Sequence, residues 1–375
     1  MDQQLSPRVL ANDFQRQWAD IRDDAMAAVE RVGESGWLIL GEEVATFERE
    51  LAAWWGVEHA VGVASGMDAL EIGLRCVGVT SGDRVLTTPL TAFATTLAIL
   101  RAGAEPVWCD VDATGALDLE LAGAALAADS SIRFVLPVHL YGHPMDLDAL
   151  AALARDHEVT LVEDCAQSAG AERDGRPTGS VGAVAGTSLY PTKNLGALGD
   201  GGVVLTNDPA VAATATQIRD YGQQERYRHV LLGLNSRLDE LHAAILRSAQ
   251  MPRLSSWIDR RRQIAHLYAE GLADGPLRPV QPSGGASSYH LFPVEVEGLP
   301  PSEVAAALRA RGIVTGRHYP MLCPDQPAAR SLGVRAGEMN VARRIAEREL
   351  SLPLHPYLRD EEVELVLDAC AELAT

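Results

Sequence analysis

Lysine is all but missing from this chain. Of its 32 Lys and Arg residues every one but Lys193 is arginine, and Lys193 lies in Leu189-Tyr190-Pro191-Thr192-Lys193-Asn194-Leu195-Gly196. Arginine replaces lysine as a charge or a carboxylate partner, but a guanidinium stays protonated and cannot act as a nucleophilic amine. A chain that keeps one lysine either needs a primary amine there or has retained it by chance, and the flanking residues must decide. Cysteine is also scarce: Cys76, Cys109, Cys165, Cys323 and Cys370 are five, an odd number, widely spaced and without a Cys-x-x-Cys pair. Neither a disulfide framework nor a zinc site follows from that spacing. No segment approaches the ~20 apolar residues of a membrane helix. The start, Met1-Asp2-Gln3-Gln4-Leu5-Ser6-Pro7-Arg8, lacks a charged-then-apolar leader, so a cytoplasmic protein is expected. Positive charge is short throughout: a formal net charge of −19 argues against a nucleic-acid partner. No Gly-x-Gly-x-x-Gly follows the first strand and no Walker-type motif occurs, which disfavours a dinucleotide-binding oxidoreductase and a P-loop enzyme. His139 and His143 are four apart, but Gly142 and Pro144 break any helical face between them, so no metal is expected.

What is present is a long alternation. Apolar runs at 59–64, 84–87, 106–109, 134–139, 160–163, 186–190 and 202–206 read as strands, with helical periodicity at 67–76, 92–102, 146–157 and 209–221. That order builds an α/β domain with a mostly parallel seven-stranded sheet flanked by helices. An amphipathic helix over 15–32 precedes it, and 236–251 and 257–272 read as long helices. The second carries Arg260-Arg261-Arg262, read as a solvated face. After about 275 the texture turns Pro/Gly/Ser-rich, then gives a strand near 289–296, a helix over 301–311 and the segment 313–319, a smaller C-terminal α+β domain. The expected division is 1–250 for the large domain and 251–375 for the small one.

Ligands of open α/β sheets sit beyond the carboxyl ends of the strands, and several distinctive residues fall there. Asp164 ends an apolar strand, where an unpaired carboxylate is costly to bury, so a cationic partner is expected. A protonated pyridine nitrogen would serve; a helix N-cap is the open alternative. Ser65-Gly66-Met67-Asp68-Ala69-Leu70 follows the first strand and opens a helix, a natural phosphate cradle in which Gly66 permits close approach. Ser188, five residues before Lys193, could add a hydroxyl. Gly196, Gly199, Gly201 and Gly202 read as a flexible loop. The amine chemistry in view is a Schiff base from Lys193 to a carbonyl, with pyridoxal phosphate as its usual source.

With these residues in place the chain resembles the DegT/DnrJ-type sugar aminotransferases, fold-type-I pyridoxal-phosphate enzymes, over nearly its whole length. The matching runs are Ser65–Leu70, Val138-His139-Leu140-Tyr141-Gly142, Glu163-Asp164-Cys165-Ala166-Gln167-Ser168-Ala169-Gly170, and Pro191-Thr192-Lys193-Asn194-Leu195-Gly196 on to Gly202. Gly233-Leu234-Asn235-Ser236-Arg237, Gly312-Ile313-Val314-Thr315 with His318-Tyr319-Pro320, and Leu352-Pro353-Leu354-His355-Pro356 extend the match. The resemblance implies that Lys193 is the Schiff-base lysine, Asp164 the partner of the pyridine nitrogen, and Gln167 a neighbour of the ring and its phenolic oxygen. It further implies that Gly66 and Met67 offer backbone N–H groups to the phosphate, Ser188 its hydroxyl, and Asn235 a contact to the phosphate of a neighbouring subunit's cofactor, across a homodimer. Three departures stand out: Met67 where the family usually has Thr, Ala92 beside Phe93 where a ring-stacking aromatic is common, and no His near Pro324.

The implied reaction passes nitrogen from an amino acid, in the family usually glutamate or glutamine, through pyridoxamine phosphate to a nucleotide-linked ketosugar. Whether C3 or C4 receives it stays open. Arg226, Tyr227, Arg228 and His229 are candidate contacts to the substrate diphosphate, a solvated loop accounting for them equally well; His318 and Tyr319 are further candidate substrate contacts. A keto-cyclitol acceptor and a non-catalytic pyridoxal-phosphate sensor are the alternatives, whereas a pyridoxamine-dependent dehydratase would carry histidine at the position of Lys193.

Overall fold

The strands in the middle of the chain are buried at nearly every position, as expected where helices cover both faces of a sheet. The computed structural model describes residues 8–273 and 275–374; residues 1–7, on which the reading of the N-terminus rests, lie outside them. The large sheet contains β1 (His59–Val63), β2 (Arg84–Thr87), β3 (Glu105–Trp108), β4 (Ile132–Leu136), β5 (Thr160–Asp164), β6 (Val184–Ser188) and β7 (Gly202–Thr206). Their order is β1-β7-β6-β5-β4-β2-β3, with β7 alone antiparallel to its neighbours. These are the seven expected strands, displaced by at most three residues at their ends. An eighth, Val334–Arg335, pairs parallel to β3 at the sheet edge. Two residues of strand leave no periodic signal in a sequence, so it was not foreseen.

The acid-rich composition is partly spent on helix starts. Asp13, Asp118, Asp146, Asp208 and Asp239 each accept a backbone N–H at the first turn of a helix, a carboxylate facing the positive end of the dipole. The helices that matter for the site are α1 (Phe14–Ser35), α2 (Glu42–Trp55), α3 (Gly66–Cys76) and α4 (Phe93–Arg101). The helix expected over 236–251 is shorter: Glu240–Ile245 runs into a wide turn over Leu246–Gln250, and a helix over Met251–Gly271 follows directly. Pro252 lacks an N–H and cannot close the i→i−4 ladder, which accounts for the loosened turn before it.

The C-terminal part has its own antiparallel sheet, β8 (Leu277–Pro279), β9 (Phe292–Val296) and β10 (Glu349–Leu352), in that order. Its core gathers Phe292, Val294, Val296, Leu350 and Leu352 against Ile264, Tyr268, Leu308 and Val366. The segment 313–319 forms no strand; it is tied by single bridges, Val9 to Ile313 and Gly316 to Ser351. The chain then returns to the large sheet, where Met339, Ala342 and Ile345 join the main core. Arg261 departs from the solvated face expected of its run. It is buried, and its Nη1 donates to the carbonyls of Tyr289, His290 and Leu354 at 3.3, 3.2 and 2.8 Å, stitching the long helix to the small sheet. No helix among the described residues is long and apolar enough to cross a membrane.

Candidate active site

Asp164 is the last residue of β5, and its side chain is 3% exposed. Its Oδ1 accepts the Ala166 N–H at 3.0 Å and its Oδ2 the hydroxyl of Thr95, from α4, at 2.8 Å. Residues 165–171 form turns, so no helix is there for Asp164 to cap. Burial raises its pKa above the ordinary carboxylate value, against the pull of those two hydrogen bonds and of the Lys193 charge. A carboxylate so placed is completed by a cation.

Lys193 follows β6 in a turn closed by its own N–H to the Tyr190 carbonyl, 2.8 Å. Burial lowers its ammonium pKa to about 8, with Asp164 pulling the other way. Its Nζ is 3.5 Å from Nε2 of His290, a buried ring whose pKa burial, Lys193, Arg261 and His318 together hold well below the ordinary value. His290 was not singled out from sequence, because its neighbours read only as a strand. The glycine-rich loop after Lys193 is packed rather than loose. Asn194, Leu195, Gly196 and Ala197 are buried, and a Cβ on Gly196 would lie 2.5 Å from the Pro191 carbonyl oxygen.

The start of α3 closes against β6 and β7. A Cβ on Gly66 would sit 2.5 Å from Cβ of Ser188, and one on Gly202 would sit 2.2 Å from the Ser65 carbonyl oxygen. Only glycine permits that approach, which leaves the first N–H groups of α3 beside the Ser188 hydroxyl. Ser188 Oγ already accepts the Tyr190 N–H at 3.2 Å, so its own hydrogen is available to an anion. Met67 and Phe93 are half-buried and pack against the main core.

Gln167 ties this floor to the C-terminal part of the chain. Its Oε1 accepts the Tyr141 N–H at 2.7 Å and its Nε2 donates to Tyr319 Oη at 3.1 Å, while Tyr141 Oη donates to the His318 carbonyl at 2.8 Å. Burial, with Asp164 nearby, keeps the Tyr319 phenol protonated well above its usual range. Burial and the Lys193 charge lower the His318 ring to about 4, so it is neutral at physiological pH.

The structure thus brings Asp164, Lys193, Gln167, His318 and Tyr319 together, with Gly66 and Ser188 in contact at a second, adjoining wall. It does not bring Asn235, Arg226, Tyr227 or His229 to them within one chain. Asn235 is exposed, and the other three sit on the hairpin Gln223–Glu225/Arg228–His229, where Tyr227 is 78% exposed. Thr95 and His290 carry no local mark in the sequence, and Tyr141 stands in the run 138–142 without a role assigned to it there. At the end of β5 lies a buried group of His139, Glu163 and Cys165. Its ligand atoms are largely engaged: Glu163 accepts His139 Nε2 at 2.9 Å and the N–H groups of Gly179, Val181 and Gly182, and His139 Nδ1 accepts the Met145 N–H.

These features suit a phosphorylated pyridine aldehyde: a buried carboxylate short of a cation, an amine lowered toward neutrality, and a glycine cradle that a single Cβ would fill. Residues 19–371 match the model of the DegT/DnrJ/EryC1/StrS aminotransferase family. The dTDP-3-amino-3,4,6-trideoxy-α-D-glucose transaminase of Streptomyces venezuelae is 41% identical over 372 residues, 98% of this chain and 97% of that one. The UDP-N-acetyl-3-dehydro-α-D-glucosamine 3-aminotransferase of Acidithiobacillus ferrooxidans is 38% identical over 352 residues, 94% of each chain. Among solved structures, S. venezuelae DesV in complex with a ketimine intermediate matches with a TM-score of 0.94 at 41% identity, covering 98% of this chain and 99% of that one. The lone lysine and the buried carboxylate therefore belong to a pyridoxal-phosphate-dependent transaminase, and the chain is a member of the DegT/DnrJ/EryC1/StrS aminotransferase family.

Proposed function

We propose that this transaminase carries an amino group from glutamate or glutamine to the C3 carbonyl of a nucleotide-linked, dTDP-bearing keto-deoxysugar in aminosugar biosynthesis. The observation that carries the catalytic part is the pairing of the buried Asp164 carboxylate with the lowered Lys193 amine. The choice of C3 rests on the names of the two relatives above, both of which put nitrogen on that carbon.

When bound, the cofactor supplies a reactive carbonyl and an electron-withdrawing ring. With the cofactor bound, Lys193 Nζ would be the amine that holds it, and as a neutral base it would take a proton from the donor's α-carbon and hand it on within the site. A neutral amine is needed for both tasks, and a pKa of about 8 supplies one near neutrality. Asp164 would hold the proton on the ring nitrogen, and a cation there would offset the cost of burying the carboxylate. Gly66, Met67 and Ser188 would hold the phosphate, with Gln167 and Phe93 the side chains offered to the ring.

Asn235 and the Arg226–His229 hairpin serve the site of a second copy in a homodimer. Exposed apolar side chains, Trp37, Leu38, Tyr221, Leu231 and Leu232, would be left in water by a monomer. A division into a large domain, 1–250, and a small one, 251–375, is supported by the separate antiparallel sheet of the C-terminal part, although Val334–Arg335 and the residues Met339, Ala342 and Ile345 return to the large sheet and its core. Five free cysteines suit a reducing cytoplasm. The test is a panel of dTDP- and UDP-linked 3-keto and 4-keto sugars with glutamate and glutamine as donors, each product's nitrogen located by NMR. The 3-keto sugars are the expected acceptors; preference for a 4-keto isomer, or for a keto-cyclitol, overturns the proposal.

A further inference from the structure

Behind His318 the structure holds a buried carboxylate that the reaction above does not use. Glu349, on β10, is fully buried. Its Oε2 accepts the His318 backbone N–H at 2.6 Å, and its Oε1 accepts the Ser351 hydroxyl at 2.5 Å. Ser351 Oγ in turn lies 2.8 Å from Nδ1 of His318. The alternation of β10 explains the set: Glu349 and Ser351 share one face, and Leu350 and Leu352 enter the small-domain core from the other. The backbone is locked as well, since Gly316 and Ser351 exchange N–H···O bonds of 2.9 Å and the His318 ring lies over Gly316, where a Cβ would meet Cε1 at 2.7 Å. Nearby charge is sparse. Arg317 Nε is 3.7 Å from Glu349 Oε2, and the Lys193 charge acts on the His318 ring.

Hydrogen-bond polarity through this chain has one solution while Glu349 is ionised. A carboxylate only accepts, so the Ser351 hydrogen is committed to it; Ser351 then offers His318 a lone pair, and Nδ1 must be the donor. The proton is thereby placed on Nδ1 and Nε2 is left bare. We propose that Glu349 and Ser351 are positioning residues that fix this tautomer, so that His318 Nε2 accepts a hydrogen bond from a hydroxyl of the incoming sugar. A phosphate or carboxylate, which offers no hydrogen, would find no partner there. The tautomer follows from the hydrogen bonds alone, whereas the sugar hydroxyl rests on the function proposed above.

Glu349→Gln inverts the polarity. The amide oxygen stays on the His318 N–H, the NH2 donates to Ser351, and the Ser351 hydrogen turns to Nδ1, moving the ring proton to Nε2. Long-range 1H–15N correlation on histidine-labelled holoenzyme at pH 8.5, with His318→Gln to assign the signal, reads the tautomer directly. That pH lies above the value of about 7 to which burial lifts Glu349. Wild type is expected to show a bare Nε2 and Glu349→Gln a protonated one; a protonated Nε2 in wild type, or no change in the variant, overturns the relay. Ser351→Ala removes the link without touching the carboxylate, and Ser351→Thr keeps the hydroxyl and restores the wild-type spectrum.

In kinetics, Glu349→Gln and Ser351→Ala should raise KM for the nucleotide sugar on the order of tenfold, the effect of one mispaired hydrogen bond, and leave the glutamate half-reaction unchanged. Equal loss in both half-reactions overturns the sugar assignment. Wild-type enzyme that aminates no nucleotide sugar overturns the function proposed above, and the assignment with it, while the tautomer result stands or falls independently.

Discussion

In the apoenzyme, Lys193 should behave as an amine with a midpoint near pH 8, against an ordinary lysine value of 10.5. At pH 7.5 a group with pKa 8 is about 24% neutral, whereas one with pKa 10.5 is about 0.1% neutral, a gain of roughly two hundredfold in reactive amine. Burial is the larger cause and Asp164 the opposing one, so the two separate by mutation. The assay is the stopped-flow rate of pyridoxal phosphate capture by apoenzyme from pH 6 to 11, followed by the visible absorbance of the adduct. Wild type should show a rate rising through a midpoint close to 8. Asp164→Asn removes the charge that favours the ammonium, so its midpoint should fall further. The same depression means that the apoenzyme's stability from this group is present above 10.5 and lost as pH falls through about 8. A wild-type midpoint above 10, or an upward shift in Asp164→Asn, would refute the conclusion that burial outweighs the Asp164 charge at this amine.

Gly66→Ala puts a Cβ 2.5 Å from that of Ser188, so cofactor affinity measured by equilibrium dialysis should fall at least tenfold, with about 1–3 kcal/mol lost in denaturant unfolding. An affinity within twofold of wild type would count against the cradle. Glu163→Gln sets an NH2 among groups that all donate, and should cost about 3–5 kcal/mol in urea unfolding; a loss under about 1 kcal/mol contradicts it. Burial opposes the Glu163 charge, but His139 and the backbone N–H groups hold its pKa below 4.5, so this stability is present above 4.5 and drains away as pH drops beneath it. Leu232→Arg, at a side chain 89% exposed, should yield a folded monomer by light scattering and abolish turnover; an active dimer removes the Leu231-Leu232 segment from the interface.

The parts legible in the sequence were those written in local periodicity or in chemically unusual residues. Strands such as β5 and β7 show as apolar runs because both their faces are buried, and Lys193 and Asp164 stand out because one is unique and the other costly to bury. What stayed hidden was set by distant packing. Arg261 looks like its neighbours Arg260 and Arg262 until three carbonyls from two segments converge on it. His290 meets Lys193 across 97 positions of chain. Glu349 and Ser351 did carry a signal, two polar residues alternating with buried leucines, but its meaning depends on His318 arriving from another segment.

Borohydride reduction of the holoenzyme followed by peptide mapping tests the central claim most directly. The account predicts a single pyridoxyl adduct on Lys193, absent from Lys193→Arg. An adduct on any other residue, or none, would contradict it.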